Sequence, residues 1–306
     1  MTPAGRYAPS PTGALHLGNL RTAVAAYASA RTQGLAFLLR IEDLDLPRCR
    51  AEFEAQQLAD LRALGIEWDA TPLRQSERSA IYREHLEVLV AQDLAYPCFC
   101  SRKEVAQASS APHAEGAEPP YPGTCAMLSR SEAEQRITAG RQHSFRLRVQ
   151  AAPTNFTDAI IGECAINLTL DGGDFVLRRS DGLFGYQLAC AVDDALSGVV
   201  EIVRGADLLT SGLRQSWLLQ CLGLPVPRYA HLPLVHGPGG VRLSKRTGAE
   251  DLRGLAARGK AGPQVLGWIA HSFGIAEAHE SLTMNEVLQR WPQVTQEQLR
   301  HPVHSP

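Results

Sequence analysis

The segment Gly5-Arg6-Tyr7-Ala8-Pro9-Ser10-Pro11-Thr12-Gly13-Ala14-Leu15-His16-Leu17-Gly18-Asn19 starts extended and turns through two prolines and a glycine into a helical pattern. Leu20, Val24 and Tyr27 recur at helical spacing until Gly34. Leu35 to Ile41 follows as a mostly apolar run, the pattern of a buried strand. Strand, helix and strand in about forty residues make a βαβ unit. Ligands of such sheets bind beyond the carboxyl ends of the strands, where the turn and Glu42-Asp43 both fall. Backbone N–H groups at the helix start form a phosphate seat. The Gly-x-Gly-x-x-Gly dinucleotide fingerprint is absent. Gly18 lets a flat base or ribose approach the backbone, and His16 can donate to phosphate. Taken alone, His16 is more simply a capping histidine in a Pro/Gly loop.

With 306 residues the chain can bury a full core in one large domain or two smaller ones. No run of eighteen apolar residues and no basic-then-apolar N-terminus occurs, so no membrane span or secretory signal is expected. Seven unevenly spaced cysteines do not form a secreted disulfide pattern, and a reducing cytoplasm is expected. The net charge of −2 gives no global sign of nucleic acid, so RNA contact needs a local basic patch.

Along the chain, Pro47 opens a helical segment carrying Phe53, Leu58, Leu61 and Leu64. Ser76-Glu77 opens another, with Tyr82, Leu86, Leu89 and Val90 on one side. From Tyr96 to about Gly140 apolar residues are too few for a module to pack alone, which is where a structural metal helps. Cys98, Cys100 and Cys125 supply three thiolates, and His113 or Tyr121 is the candidate fourth ligand. Cys49, Cys164, Cys190 and Cys221 read as buried apolar thiols. Ser144 to Val149 alternates as a half-buried strand, Val199 to Val203 is a strong strand, and Ser211 to Leu222 is helical. Leu232 to Val235 reads as a short strand before the glycine-rich loop at Gly237.

The opening segment resembles the HIGH signature of class I aminoacyl-tRNA synthetases in its glutamyl form, and Arg242-Leu243-Ser244-Lys245-Arg246 resembles their KMSKS signature. The order and spacing of the two strings, from Gly5 to about Ala249, place the resemblance over most of the chain. The resemblance implies an α/β fold of the class I synthetase Rossmann type, a parallel sheet with helices on both faces. It also implies an inserted zinc-bearing, acceptor-type subdomain and a short helical C-terminal region. The expected divisions are 1–95 and 181–240 for the two Rossmann halves, 96–180 for the insertion, and 241–306 for the lysine loop and C-terminal helices.

For the site, the resemblance implies Arg6, Ser10, Glu42, Tyr186 and Arg204 for L-glutamate. Their chemistry suits an amino acid, since arginine's planar fork matches a carboxylate and Glu42 matches an ammonium. ATP is expected at His16, Gly18, Asn19, Ser244 and Lys245, with His16 and Lys245 catalytic and Mg²⁺ accompanying the nucleotide. The zinc ligands implied are Cys98, Cys100, Tyr121 and Cys125, as in the glutamyl-queuosine tRNA(Asp) synthetase family. That family activates glutamate without tRNA and transfers it to queuosine in the anticodon of tRNA(Asp). A monomer without a membrane partner is expected, and only about sixty residues follow the lysine loop where an ordinary glutamyl-tRNA synthetase continues into an anticodon-binding region. The alternatives are a short glutamyl-tRNA synthetase charging the tRNA 3′ end and a non-catalytic zinc-bearing RNA-binding relic.

Overall fold

A computed structural model describes residues 2–108, 121–149, 151–237, 251–260 and 262–304. The opening βαβ unit consists of β1 (Ala4–Tyr7), α1 (Leu17–Thr32) and β2 (Ala36–Ile41), with β1 and β2 parallel. A 3₁₀ turn at Leu46–Arg48 precedes α2 (Ala51–Ala63), so the regular helix begins four residues after Pro47. Next come β3 (Leu73–Arg74), a 3₁₀ turn and α3 (Ser79–Ala91). Tyr82, Leu86 and Leu89 of α3 are buried as their spacing requires, but Val90 is 40% exposed: its direction around the helix points it away from the sheet.

The chain then leaves the sheet. β4 (Ala95–Cys98), α4 (Arg102–Ala108), α5 (Arg130–Thr138) and β5 (Ser144–Leu147) precede the hairpin of β6 (Asn155–Asp158) and β7 (Gly162–Ala165), and β8 (Phe175–Arg178) follows. β4, β5 and β8 pair in an antiparallel sheet of their own.

The chain returns through α6 (Tyr186–Leu196), β9 (Val199–Gly205), α7 (Leu209–Leu222) and β10 (Arg228–Leu232). The main sheet runs β10-β9-β1-β2-β3 with every pair parallel. β9 returns beside β1 on the side away from β2, so the strand order reverses there, the place such sheets hold ligands. The strand expected at Leu232 to Val235 lies earlier, at Arg228–Leu232. Its Arg, Tyr and His hid it from hydrophobic pattern, and Pro233, which lacks an N–H, ends it.

Alternation along the strands divides the core into two layers. Phe37, Leu39, Ile41, Val203 and Leu232 face α1, α2 and the C-terminal helices, while Ile202 and Tyr229 face α3, α6 and α7. The last segments are β11 (Val235–His236), α8 (Leu252–Ala257), α9 (Gly262–His271), α10 (Met284–Arg290), α11 (Gln296–Arg300) and β12 (Val303–His304), which pairs parallel with β11. Arg21 ties α9 to α1: it is fully buried, donates to Ser272 Oγ at 2.9 Å and Pro233 O at 3.2 Å, and covers the Phe273 ring. Among the described residues no helix is long and apolar enough to cross a membrane.

Candidate active site

The carboxyl ends of β1, β2 and β9 bring four of the five proposed glutamate residues into one electrostatic neighbourhood. Arg6 leaves β1, Glu42 follows β2, Tyr186 opens α6 and Arg204 lies near the end of β9. The field on the buried Tyr186 hydroxyl comes from Glu42, Arg204 and Arg6 as well as Cys190, and burial, then Cys190 and Glu42, raise its pKa far above the ordinary phenol value. It therefore remains a neutral hydroxyl. Ser10 is exposed in the turn, and its carbonyl accepts from Gln57 Nε2 at 3.0 Å.

Two charged residues behind this group were not singled out from the sequence. Asp194, 1% exposed on α6, accepts from Arg6 Nε at 3.2 Å and Arg40 Nη1 at 2.5 Å. Arg40 also reaches Glu42 Oε1 at 3.1 Å, so two buried arginines and two carboxylates form one connected set. Burial opposes ionisation of Asp194, but Arg40 and Arg6 outweigh it and hold the carboxyl below its usual range. An arginine inside an apolar strand and an Asp-Asp pair in an apolar helix were the available signals. The neighbouring Asp193 is fully buried and accepts from Arg78 Nε at 2.6 Å, Tyr82 OH at 2.7 Å and Gln75 Nε2 at 3.2 Å, clamping α6 to α3.

Of the four cysteines read as buried apolar thiols, only Cys190 is buried; Cys49, Cys164 and Cys221 are half-buried. Nor is Cys190 in apolar company, since its thiol donates to Glu42 Oε1 at 3.1 Å. Helix α6 presents its 186, 190 and 194 positions to one side, which places a thiol beside the carboxylate.

His16 is the N-cap of α1. Its Nδ1 accepts from Asn19 N at 3.3 Å, and Asn19 Oδ1 accepts from His16 N at 3.2 Å. In the neutral ring Nδ1 is thus the acceptor and Nε2 carries the proton. A Cβ on Gly18 would sit 3.1 Å from the His16 ring, so glycine keeps the ring against the helix start. Helix α2 steadies the turn: Gln57, fully buried, donates to Ser10 O at 3.0 Å and Gly13 O at 2.7 Å. Asp251, which caps α8, bridges to the backbone of His16 and accepts from Gln56 at 2.9 Å. Ser244 and Lys245 lie outside the described residues.

A second constellation sits in the inserted sheet. Cys98 ends β4, Cys100 follows it, and Cys125 lies in a 3₁₀ turn, with the three sulfurs within 4.8 Å of one another. Tyr121 OH lies 3.3 Å from Cys98 Sγ and 3.7 Å from Cys100 Sγ, while Cys100 and Cys125 sulfurs are 3.5 Å apart. Edges of about 3.5 Å suit one tetrahedral ion with bonds of about 2.0–2.3 Å to oxygen and sulfur. The donor set therefore fits a structural metal. His113 lies outside the described residues.

Residues 4–297 match the family model of class I tRNA synthetases (E and Q), catalytic domain. The chain belongs to this family. A glutamyl-Q tRNA(Asp) synthetase of Symbiobacterium thermophilum is 45% identical over 293 residues, spanning 93% of this chain and 90% of that protein. Glutamate–tRNA ligase 1 of Halorhodospira halophila is 43% identical over 293 residues, spanning 93% of this chain and 61% of its own length. A crystal structure of a glutamate tRNA ligase from Elizabethkingia meningosepticum in complex with its amino acid superposes with a TM-score of 0.83 at 26% identity, covering 99% of this chain and 66% of that one. The protein is thus a ligase of the class I aminoacyl-tRNA synthetase type, with that class's parallel α/β fold.

Proposed function

We propose that this enzyme activates L-glutamate with ATP without needing tRNA and then transfers glutamate to queuosine at the anticodon wobble position of tRNA(Asp). In the first step an α-carboxylate oxygen attacks the α-phosphorus, the bond to the β-phosphate breaks, and pyrophosphate leaves. In the second, a hydroxyl of the queuosine cyclopentene attacks the acyl carbon, and AMP leaves with the former carboxylate oxygen.

The observation that carries the reading is the charge set at the strand ends. Asp194 neutralises the inner edge of Arg6 through Nε, leaving its Nη groups to a substrate carboxylate. Arg204 is the second carboxylate partner, Glu42 takes the ammonium, and Tyr186 and Ser10 complete the pocket. His16, Gly18 and Asn19, with Ser244 and Lys245 from the lysine loop, hold ATP with Mg²⁺ on its phosphates. The queuosine acceptor is supported by the relatives named glutamyl-Q tRNA(Asp) synthetase, which match over most of their own length. Zn²⁺ on Cys98, Cys100, Tyr121 and Cys125 would pin the 96–180 insertion between Rossmann halves at 1–95 and 181–240, with 241–306 as the lysine-loop and C-terminal region.

ATP–pyrophosphate exchange without tRNA tests this directly. Glutamate should support exchange, and glutamine should fall by about 1–3 kcal/mol or more in kcat/KM, because its amide leaves a buried arginine without an anion. Equal exchange with glutamine would overturn the amino-acid assignment. The likeness to glutamate–tRNA ligases favours one other acceptor, the tRNA 3′ end. Queuosine-bearing and queuosine-free tRNA(Asp) are compared, and nuclease digestion of the labelled tRNA distinguishes the two by whether glutamate stays with the anticodon fragment or with the 3′-terminal one.

A further inference from the structure

Arg204 is oriented differently from Arg6. It is 5% exposed, and among the described residues it makes no ion pair. Each of its three nitrogens instead meets a neutral acceptor: Nε donates to His231 Nε2 at 2.9 Å, Nη1 to Gln215 Oε1 at 2.8 Å and Nη2 to Leu208 O at 3.1 Å. A guanidinium has five N–H groups in a fixed plane. Three are used here, which leaves one N–H on each Nη for a further acceptor.

His231 is fully buried, and its tautomer follows from its partners. Arginine only donates, so Nε2 must offer a lone pair and Nδ1 must carry the proton. Nδ1 lies 2.6 Å from Asp158 Oδ2, and that carboxylate, itself buried, also accepts from the backbone N–H groups of Ile160, Ile161 and His231. Packing holds the ring in this plane. Tyr229 stacks on it at 6.0 Å, Phe156 meets it edge-on, and a Cβ on Gly212 would come within 3.0 Å of its Cε1 and 2.9 Å of Phe156.

We infer that Asp158 and His231 are positioning residues for glutamate recognition: together they fix the plane of Arg204 through a neutral imidazole, so that its positive charge stays available to a substrate carboxylate. A carboxylate touching Arg204 directly would orient it equally well but would compete with the substrate for that charge. Placing the imidazole between them separates orientation from neutralisation. The inference rests on the reading of Arg204 as a glutamate ligand. The charged and titratable groups facing the ring among the described residues are Asp158 from β6, Arg204 from β9 and Tyr229 from its own strand; α7 contributes only Gly212 at the ring and Gln215 at Arg204.

The test compares His231→Phe, His231→Gln and Arg204→Lys in the full-length enzyme, using glutamate titration calorimetry, exchange kinetics and melting temperature. Phenylalanine keeps the ring but removes both hydrogen bonds, whereas glutamine can place an amide oxygen near the Nε2 position. His231→Phe should weaken glutamate binding about 10- to 100-fold with the KM for ATP unchanged, and His231→Gln should recover most of that loss. If Arg204→Lys leaves glutamate affinity intact, the underlying reading of Arg204 fails. If Arg204→Lys weakens binding while folded His231→Phe does not, the positioning role alone is overturned. Should His231→Phe not fold, ¹⁵N NMR of the wild-type histidines decides. A proton on Nδ1 and an accepting Nε2 are expected, and a protonated Nε2 at neutral pH refutes the inference.

Discussion

Arg6 and Arg40 share one buried carboxylate, and that sharing makes Asp194 the residue on which the proposed amino-acid pocket depends. Asp194→Asn would leave the buried Arg6 without its carboxylate and Arg40 with Glu42 alone, and removing one partner of a buried ionic set costs about 3–5 kcal/mol. Urea denaturation at neutral pH should show this loss, and a midpoint unchanged from wild type would mean that water already compensates both arginines. Two other buried groups set the acid sensitivity of the same region. Burial, then Arg204, depress His231 below its usual pKa even though Asp158 pulls the other way. A folded-state value below the unfolded one means that the unfolded chain binds the proton first. The stability from neutral His231 is thus full above about pH 6.5 and declines as pH falls toward the folded-state value. Asp158 and Asp194 are depressed too, so their contributions persist above about pH 4 and disappear in stronger acid. A denaturation series from pH 7 to 5 should lose stability in wild type and lose less in His231→Gln.

Helix α2 connects the first turn to the start of α8. Gln57 holds the carbonyls of the first turn, Gln56 holds Asp251, the cap of α8, and Asp60 lies one turn further along the same helix. Asp60 is 5% exposed with Oδ2 unpaired among the described residues; burial, and then the nearby Asp251, raise its pKa to about 6. Its folded value exceeds the unfolded one, so the favourable state is the protonated one, fully present below about pH 4 and lost as pH rises through 6. Asp60→Asn mimics that protonated form. It should stabilise the enzyme by about 1–2 kcal/mol at pH 8, allowing for solvent screening, and by much less at pH 4.5. A gain of equal size at both values would remove the electrostatic explanation. The segment around the cysteines has a small apolar cluster of its own, seven buried residues among those described, including Tyr96 and Phe99, and the proposed metal would add to it. Cys98→Ser should release zinc from the purified protein and make residues 96–140 exchange amide hydrogen faster. Tyr121→Phe should weaken zinc retention if the phenol is the fourth ligand, whereas full retention with loss on His113→Ala would transfer that role to His113.

For the whole molecule, the sequence determined the local shapes. The Pro-Ser-Pro-Thr-Gly turn, the capped helix after His16 and the apolar run to Ile41 are dictated by backbone preferences and periodicity within a few residues of one another. The three thiols of Cys98, Cys100 and Cys125 were visible too, because they come from two short segments, whereas the choice of Tyr121 over His113 came from the family resemblance alone. The charge relations were not visible, because no local rule governs them. Asp194 meets Arg6 across 188 residues and Arg40 across 154, and His231 meets Asp158 across 73. Arg204 and His231 are opposite one another only because β9 and β10 pair in parallel with that register. A period-two strand pattern tells which face a residue takes but not which residue of the next strand it will face. The sequence therefore determined which chemical groups each strand end carries. Sheet register and the return of α6 against β1 and β2 decided which of those charges are neutralised inside the protein and which, in the proposed function, meet a substrate.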